Sequence, residues 1–290
     1  MLNLIKSYSY LFISIFPLIS CSEDIDSIST KKIFHDGVER EYILYVPESY
    51  DGNSKLPLML NFHGGSGTAS DQLYTSDMRS LADTEIFILV YPQGLHDVWN
   101  VSLSSDNDSK NNTDDFGFIE ALINQIGSTY NIDTTRVYAA GFSNGAGISH
   151  ALACVMSNKI AAIASMGGLL YKHTAENSNP EPTAIMSIHG TADSARPYDG
   201  IDGYYLSIDK MHQYWINRNK TDNLPTINTF DSNGQTVEYH LYENGTSNTS
   251  IEHYKVKDGE HWWLDIEYQE SNTNRLIWNF VSKYDINGLR

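Results

Sequence analysis

The feature that most constrains this chain is the pentad Gly141-Phe142-Ser143-Asn144-Gly145, set between a strand-like run, Arg136 to Ala140, and a helix-like run, Asn144 to Met156. A serine at so sharp a strand-to-helix turn sits in strained backbone, and small residues must flank it so that neighbouring chain can pass close by. The helix that follows aims its free N-terminal amides at the serine and stabilises negative charge there. A turn of this kind needs a sheet in front of it and a covering helix behind it. It therefore constrains the fold class while it marks Ser143 as a nucleophile.

The rest of the chain fits that frame. Strands are expected at Glu41 to Val46, Leu56 to Phe62, Ile86 to Tyr91, Ile160 to Met166, Thr183 to Ile188, Val237 to Tyr242 and Ile251 to Val256. Between them, Phe116 to Tyr130 places Phe118, Ile119, Leu122, Ile123 and Ile126 on one helical stripe, with Asp114 or Asp115 as its cap. Further helices are expected at Tyr204 to Ile216 and Gln269 to Ser282, and a polar loop without core residues at Ser102 to Thr113. Alternation of this sort gives a mostly parallel central sheet with helices on both faces, as a single domain over residues 33–290, and with a serine elbow of this kind the expected fold is that of the α/β-hydrolases. No internal repeat interrupts it.

A serine hydroxyl is a weak nucleophile without a base, and the base needs an orienting acid. In this fold the order along the chain is serine, acid, histidine. Asp193 follows the run Thr183 to Ile188 directly, at the end of a core strand where catalytic loops gather, whereas Asp199 and Asp202 lie further out and read as turn residues. Of the later histidines, His212 falls in a helix pattern and His240 and His253 fall inside strands. His261, on the loop after the last core strand, is the candidate base. The oxyanion that forms on attack needs two backbone N–H groups. One comes from Asn144 and the other from the glycine-rich loop His63-Gly64-Gly65-Ser66-Gly67, with Gly65 preferred and Gly64 next; His63 reads as a brace for that loop. No HExxH motif, cysteine cluster or dinucleotide fingerprint is present, so neither a metal nor an organic cofactor is implied.

With these residues in hand, the chain resembles the polyhydroxybutyrate depolymerase and feruloyl esterase group of α/β-hydrolases, close to carbohydrate esterase family one. The blocks that carry the likeness are LNFHGGSG (60–67), YPQG followed by Trp99, DDFGFIEALINQI (114–126), NIDTTRVYAAGFSNGA (131–146), IHGTAD (188–193) and Gly259-Glu260-His261-Trp262-Trp263. The resemblance implies the triad Ser143, Asp193 and His261 and an ester substrate with a bulky or polymeric part. The favoured substrate is a feruloyl or acetyl ester on a polysaccharide, and the rival is a polyhydroxyalkanoate or other polyester. A reading from another class is a glycan-binding lipoprotein that has lost catalysis. The sequence departs from the group around the base, where Lys257-Asp258-Gly259-Glu260 replaces a glycine-rich stretch and Leu264 stands where a proline is usual. Trp99, Trp262 and Trp263 are candidates for an aromatic wall against a feruloyl ring or a sugar face, with core or rim packing as the alternative.

The N-terminus says where such an enzyme would work. Lys6 precedes the apolar run Tyr10 to Ser20, which ends in Leu18-Ile19-Ser20-Cys21. That pattern is a secretory signal closing in a bacterial lipobox. Residues 1–20 are expected to be a lipoprotein signal peptide, Cys21 the lipidation site, and residues 21–32 a flexible tether to the cell envelope. Attachment to the membrane is then through the acyl chains. The other cysteine, Cys154, lies in an apolar helix-like run and is expected to be a buried free thiol. A net charge of -17 makes nucleic acid an unsuitable partner.

Overall fold

The apolar runs become the middle of a ten-stranded sheet in the computed structural model, which describes residues 28–103 and 113–290. In chain order the elements are β1 (Ile28–His35), β2 (Val38–Tyr45), β3 (Leu56–Phe62), α1 (Ala69–Thr75), α2 (Arg79–Glu85), β4 (Ile88–Pro92), α3 (Asp115–Thr129), β5 (Ile132–Phe142), α4 (Asn144–Val155), β6 (Ile160–Met166), α5 (Lys172–Glu176), β7 (Ala184–Gly190), α6 (Ile208–Asn219), β8 (Thr226–Ser232), β9 (Gln235–Tyr242), β10 (Ile251–Val256) and α7 (Thr273–Val281). The strand order is β1-β2-β4-β3-β5-β6-β7-β10-β9-β8. The six strands from β4 to β10 run parallel, and an antiparallel pair flanks them at each edge.

Side-chain alternation sorts the core into two layers. On one face, Leu58 and Leu60 of β3 and Val137 and Ala139 of β5 meet Phe118 and Leu122 of α3, Ile148 and Leu152 of α4, and Met211 and Trp215 of α6. On the other face, Met59, Tyr138 and Ala140 meet Leu81 and Ala82 of α2 and Leu276, Ile277 and Phe280 of α7. Strands buried on both faces need apolar residues at nearly every position, which is why β3 and β6 match the sequence reading residue for residue. Asp114 is the cap of α3, its side chain accepting from the Gly117 amide. Asp115, one residue on, is buried and accepts from Arg40 Nη2 at 2.6 Å and from the Asn100 amide at 2.7 Å, tying β2 and α3 to the segment that carries Trp99.

Several expectations need correction. The tether expected at residues 21–32 does not extend that far, because β1 already begins at Ile28 and pairs with β2 along its whole length. Of its described side chains only Ile33 is buried, and Lys32 pairs with Glu39 and Glu41, so an edge strand held by backbone bonds and surface charges looks like a polar linker. The strand expected from Ile86 starts at Ile88, because Ile86 ends α2 in the left-handed conformation (φ 57°). α6 starts at Ile208, where Ser207 caps it, and α7 at Thr273, where Asn272 caps it. The signal segment and Cys21 lie outside the described residues, as does most of the expected polar loop. Cys154 is buried and free.

Candidate active site

Ser143 follows β5, Asp193 follows β7 and His261 follows β10, so all three stand at the C-terminal ends of parallel strands in the middle of the sheet. His261 Nε2 lies 2.9 Å from Ser143 Oγ, and His261 Nδ1 lies 2.7 Å from Asp193 Oδ2. The three residues chosen from sequence order thus form one hydrogen-bonded line. Ser143 has φ 53° and ψ -113°, a conformation that costs of order 1–3 kcal/mol and is held only by its surroundings. Those surroundings are tight. A Cβ on Gly145 would come within 2.2 Å of the Phe62 carbonyl oxygen, and one on Gly141 within 2.5 Å of Gly145 itself.

Asp193 is held from two sides. Its Oδ1 accepts the amides of Ala195 and Arg196 at 2.9 and 2.7 Å, while Oδ2 faces His261. Burial works to raise the carboxyl pKa. The hydrogen bonds from His261 and the Arg196 amide outweigh it and hold the group below the usual carboxylate range. Asp193 is therefore ionised at neutral pH and oriented for the imidazole.

The loops that carry acid and base are locked together. The Ala192 amide donates to the Gly259 carbonyl, the Thr191 amide to the Val256 carbonyl, and the Asp258 amide to Thr191 Oγ1. A Cβ on Gly190 would lie 2.1 Å from the Gly259 oxygen, so the two loops approach closely only because Gly190 has no side chain. Gly167, after β6, is a residue that sequence reasoning missed. At φ 58° it lies under the acid–base pair, where a Cβ would sit 3.6 Å from His261 Nδ1 and 3.7 Å from Asp193 Oδ2. The Gly167-Gly168 pair directly after an apolar strand was the available signal.

Asn144 opens α4 beside Ser143, and its side chain does work the sequence did not reveal. Its Oδ1 accepts the Trp99 amide at 2.7 Å and its Nδ2 donates to the Trp99 carbonyl at 3.1 Å. The loop after β3 is braced by His63, as expected. Its Nε2 accepts from the Gly94 amide, which leaves Nδ1–H to donate to the Gly64 carbonyl. Burial lowers the His63 pKa, which keeps the ring neutral for that role. Gly64 runs close to the nucleophile, with a position for Cβ only 3.5 Å from Ser143 Cβ; Gly65 follows it, half-buried.

The three tryptophans part company. Trp99 is fully buried and donates through Nε1 to the His63 carbonyl at 3.0 Å. It packs edge-on against Phe62, so it is core rather than substrate wall: the double clasp from Asn144 fixes it inside. Trp263 is half-buried and meets Phe142, whose ring in turn lies 5.0 Å from the His261 ring. Trp262 is 66% exposed.

Behind Asp193 lies a cluster of buried histidines. His189 donates from Nε2 to the Arg196 carbonyl at 2.8 Å and passes 3.5 Å from Asp193 Oδ2. Ser187 Oγ bridges His212 Nε2 and His253 Nδ1, and Tyr198 OH bonds the other nitrogen of His253. His150, on α4, stacks on Trp215, and neither of its ring nitrogens finds a partner among the described residues. Burial lowers the pKa of all four rings, to about 3 for His150 and His212.

Comparison with known proteins agrees with this architecture. Residues 40–194, more than half of the chain, match the family model described as esterase PHB depolymerase. The chain is 29% identical over 257 residues to a bifunctional acetylxylan esterase/xylanase of Neocallimastix patriciarum, spanning 87% of this chain and 34% of that protein. It is 31% identical over 169 residues to a probable feruloyl esterase C of Aspergillus niger, spanning 56% of this chain and 57% of that protein. The chain thus spans less than two thirds of the length of either relative. Its fold is similar to that of an acetyl xylan esterase from Aspergillus awamori, with a TM-score of 0.61 over 81% of this chain and 94% of that one at 16% identity. The serine elbow and the acid loop both lie inside the matched span, and the chain belongs to the PHB depolymerase esterase family.

Proposed function

We propose that the protein is a serine esterase that hydrolyses carboxylic esters, feruloyl or acetyl, carried by a polysaccharide. The observation that carries this reading is the unbroken line Ser143 Oγ–His261 Nε2 and His261 Nδ1–Asp193 Oδ2. Ser143 attacks the ester carbonyl while its proton passes to His261 Nε2. Asp193 keeps the Nδ1–H tautomer in place and stabilises the imidazolium. The amides of Asn144 and Gly65 receive the oxyanion, where the loss of one donor costs about 2.7–4 kcal/mol in the transition state. His261 returns the proton to the departing alcohol. Water, activated by the same imidazole, then releases the acid from Ser143. The names of the relatives support the choice of acyl and carbohydrate parts.

The test is hydrolysis of methyl ferulate, p-nitrophenyl acetate and a poly(hydroxybutyrate) film by the protein and by Ser143→Ala. Ferulate or acetate release that vanishes in the variant is expected. Release of hydroxyacid from the film without ferulate or acetate would move the substrate to polyesters. Equal inertness of both proteins, with no labelling of Ser143 by a fluorophosphonate, would leave a binding protein.

The same proposal places the enzyme at the bacterial envelope, held by acyl chains on Cys21. Among the described residues no helix is long and apolar enough to cross a membrane. Cys21→Ser should move the expressed protein from the membrane pellet to the soluble fraction and abolish labelling with a fatty-acid analogue. Unchanged partition would remove the anchor.

A further inference from the structure

The turn between β8 and β9 and the residues on either side of His261 line a cleft of about 540 Å³. We propose that this cleft is the subsite for the carbohydrate part of the substrate and that it selects uncharged sugar residues; the assignment rests on the esterase reading above.

Position is the first reason. Glu260 and Trp262, the neighbours of His261 on either side, both line the cleft. Trp263 lines it too and packs on Phe142, the residue before Ser143. The cleft is thus linked to the turn of the nucleophile through one pair of rings, Trp263 and Phe142.

The lining has the chemistry that sugars require. A pyranose ring presents an apolar C–H face and a rim of hydroxyls, so its site needs a flat aromatic surface and polar groups beside it. Trp262 supplies the surface. It is 66% exposed, and its Nε1 donates to Glu260 Oε2 at 3.2 Å, which fixes the indole plane before any ligand arrives. Asn233 and Gln235, from the hairpin, supply amides across the cleft. Asn233 is itself placed by a left-handed backbone (φ 53°) and a bond to the Asp265 carbonyl at 3.2 Å.

Charge decides which sugars are accepted. Asp258, Glu260 and Asp265 line the cleft, and none of the lining residues is cationic. A uronate would bring a fourth carboxylate beside Asp258, Glu260 and Asp265, with no counter-charge among the lining residues, and the like charges repel it. A neutral glycosyl chain meets only hydrogen-bonding groups.

The test measures binding rather than turnover. Ser143→Ala protein is titrated calorimetrically with xylohexaose and with a xylo-oligosaccharide of equal length bearing one glucuronic acid. Xylohexaose should bind, and Trp262→Ala added to that background should weaken it at least about tenfold. The uronate probe should bind about fivefold more weakly than xylohexaose, and Asp258→Asn with Glu260→Gln and Asp265→Asn should close the gap. Absence of xylohexaose binding, equal binding of the two probes, or an affinity indifferent to Trp262→Ala would each overturn the subsite. Because no step needs hydrolysis, an inert enzyme would sink the catalytic reading alone. An active one without Trp262-dependent binding would sink only the subsite.

Discussion

Asp193→Asn should lower kcat on methyl ferulate by on the order of 10⁴-fold while leaving the melting temperature nearly unchanged. The reason lies in the two faces of the carboxylate. Oδ1 is committed to the amides of Ala195 and Arg196 at 2.9 and 2.7 Å, so an asparagine keeps its oxygen there and turns its NH₂ toward His261. His261 Nδ1 must then become an acceptor, and the imidazole proton moves to Nε2, the nitrogen 2.9 Å from Ser143 Oγ. A ring protonated at Nε2 cannot take the serine proton. Substrate binding does not use Asp193, so KM should move far less than kcat. A fall of less than about tenfold would show that another group orients the base.

That line of three residues was legible in the sequence because each sits on the turn or loop after a core strand, whereas the rival residues lie further along the loop (Asp199, Asp202) or inside helix and strand patterns (His212, His240, His253). The most buried strands were legible from their apolar runs: β3 and β6 are apolar at nearly every position and match residue for residue. What could not be read shares the opposite property. β1 and β8 are edge strands whose stabilisation comes from backbone pairing, and β8 buries only Ser232 fully, so no alternating pattern marks it. α1 and α2, seven residues each, are too short to show a stripe. Trp99 stayed open between wall and core because composition cannot tell a rim tryptophan from a core one. Its place depends on Asn144, 45 residues away, which holds both backbone groups of Trp99. Gly167 went unnoticed because its role is to leave room.

Between pH 7.5 and 5.0 the melting temperature should fall steeply, by on the order of 10–20 °C. His150, His212 and His253 are buried and neutral in the folded protein, with pKa values depressed to about 3 for the first two and well below the usual range for the third. In the unfolded chain each titrates near 6.5. The folded pKa lies below the unfolded one, so the unfolded state binds more protons as the pH drops below about 6.5. Stability is fully present above that value and is lost progressively toward the folded pKa. At pH 5 each ring costs roughly 2 kcal/mol, and the three together approach the 5–15 kcal/mol that holds a typical domain. The charges nearby give little relief. The neighbours of these rings are His189 and His240, which repel a new proton, while Asp193 is engaged by His261 and Glu238 by His240 and Lys255. The paired carboxylates, including Asp193 and Glu238, add their own loss only nearer pH 4. His150→Phe is the diagnostic variant, because neither ring nitrogen has a partner to lose and the stack on Trp215 is kept. It should flatten the pH dependence of the melting temperature by about a third. Parallel curves for the two proteins would mean that His150 does not carry this penalty.

The strand order β7-β10-β9-β8 also governs when the molecule becomes reactive. β8 and β9 are made before β10 and can pair with each other first, yet among the described strands the sheet neighbours of β9 are β8 and β10. The hairpin has no berth on the sheet until β10 slides between it and β7. Ser143 and Asp193 are by then long synthesised, but the histidine arrives with the loop that β10 draws into place. A growing chain thus carries its nucleophile unarmed through most of its assembly, and reactivity toward an acylating probe becomes a clock for the last insertion in the sheet.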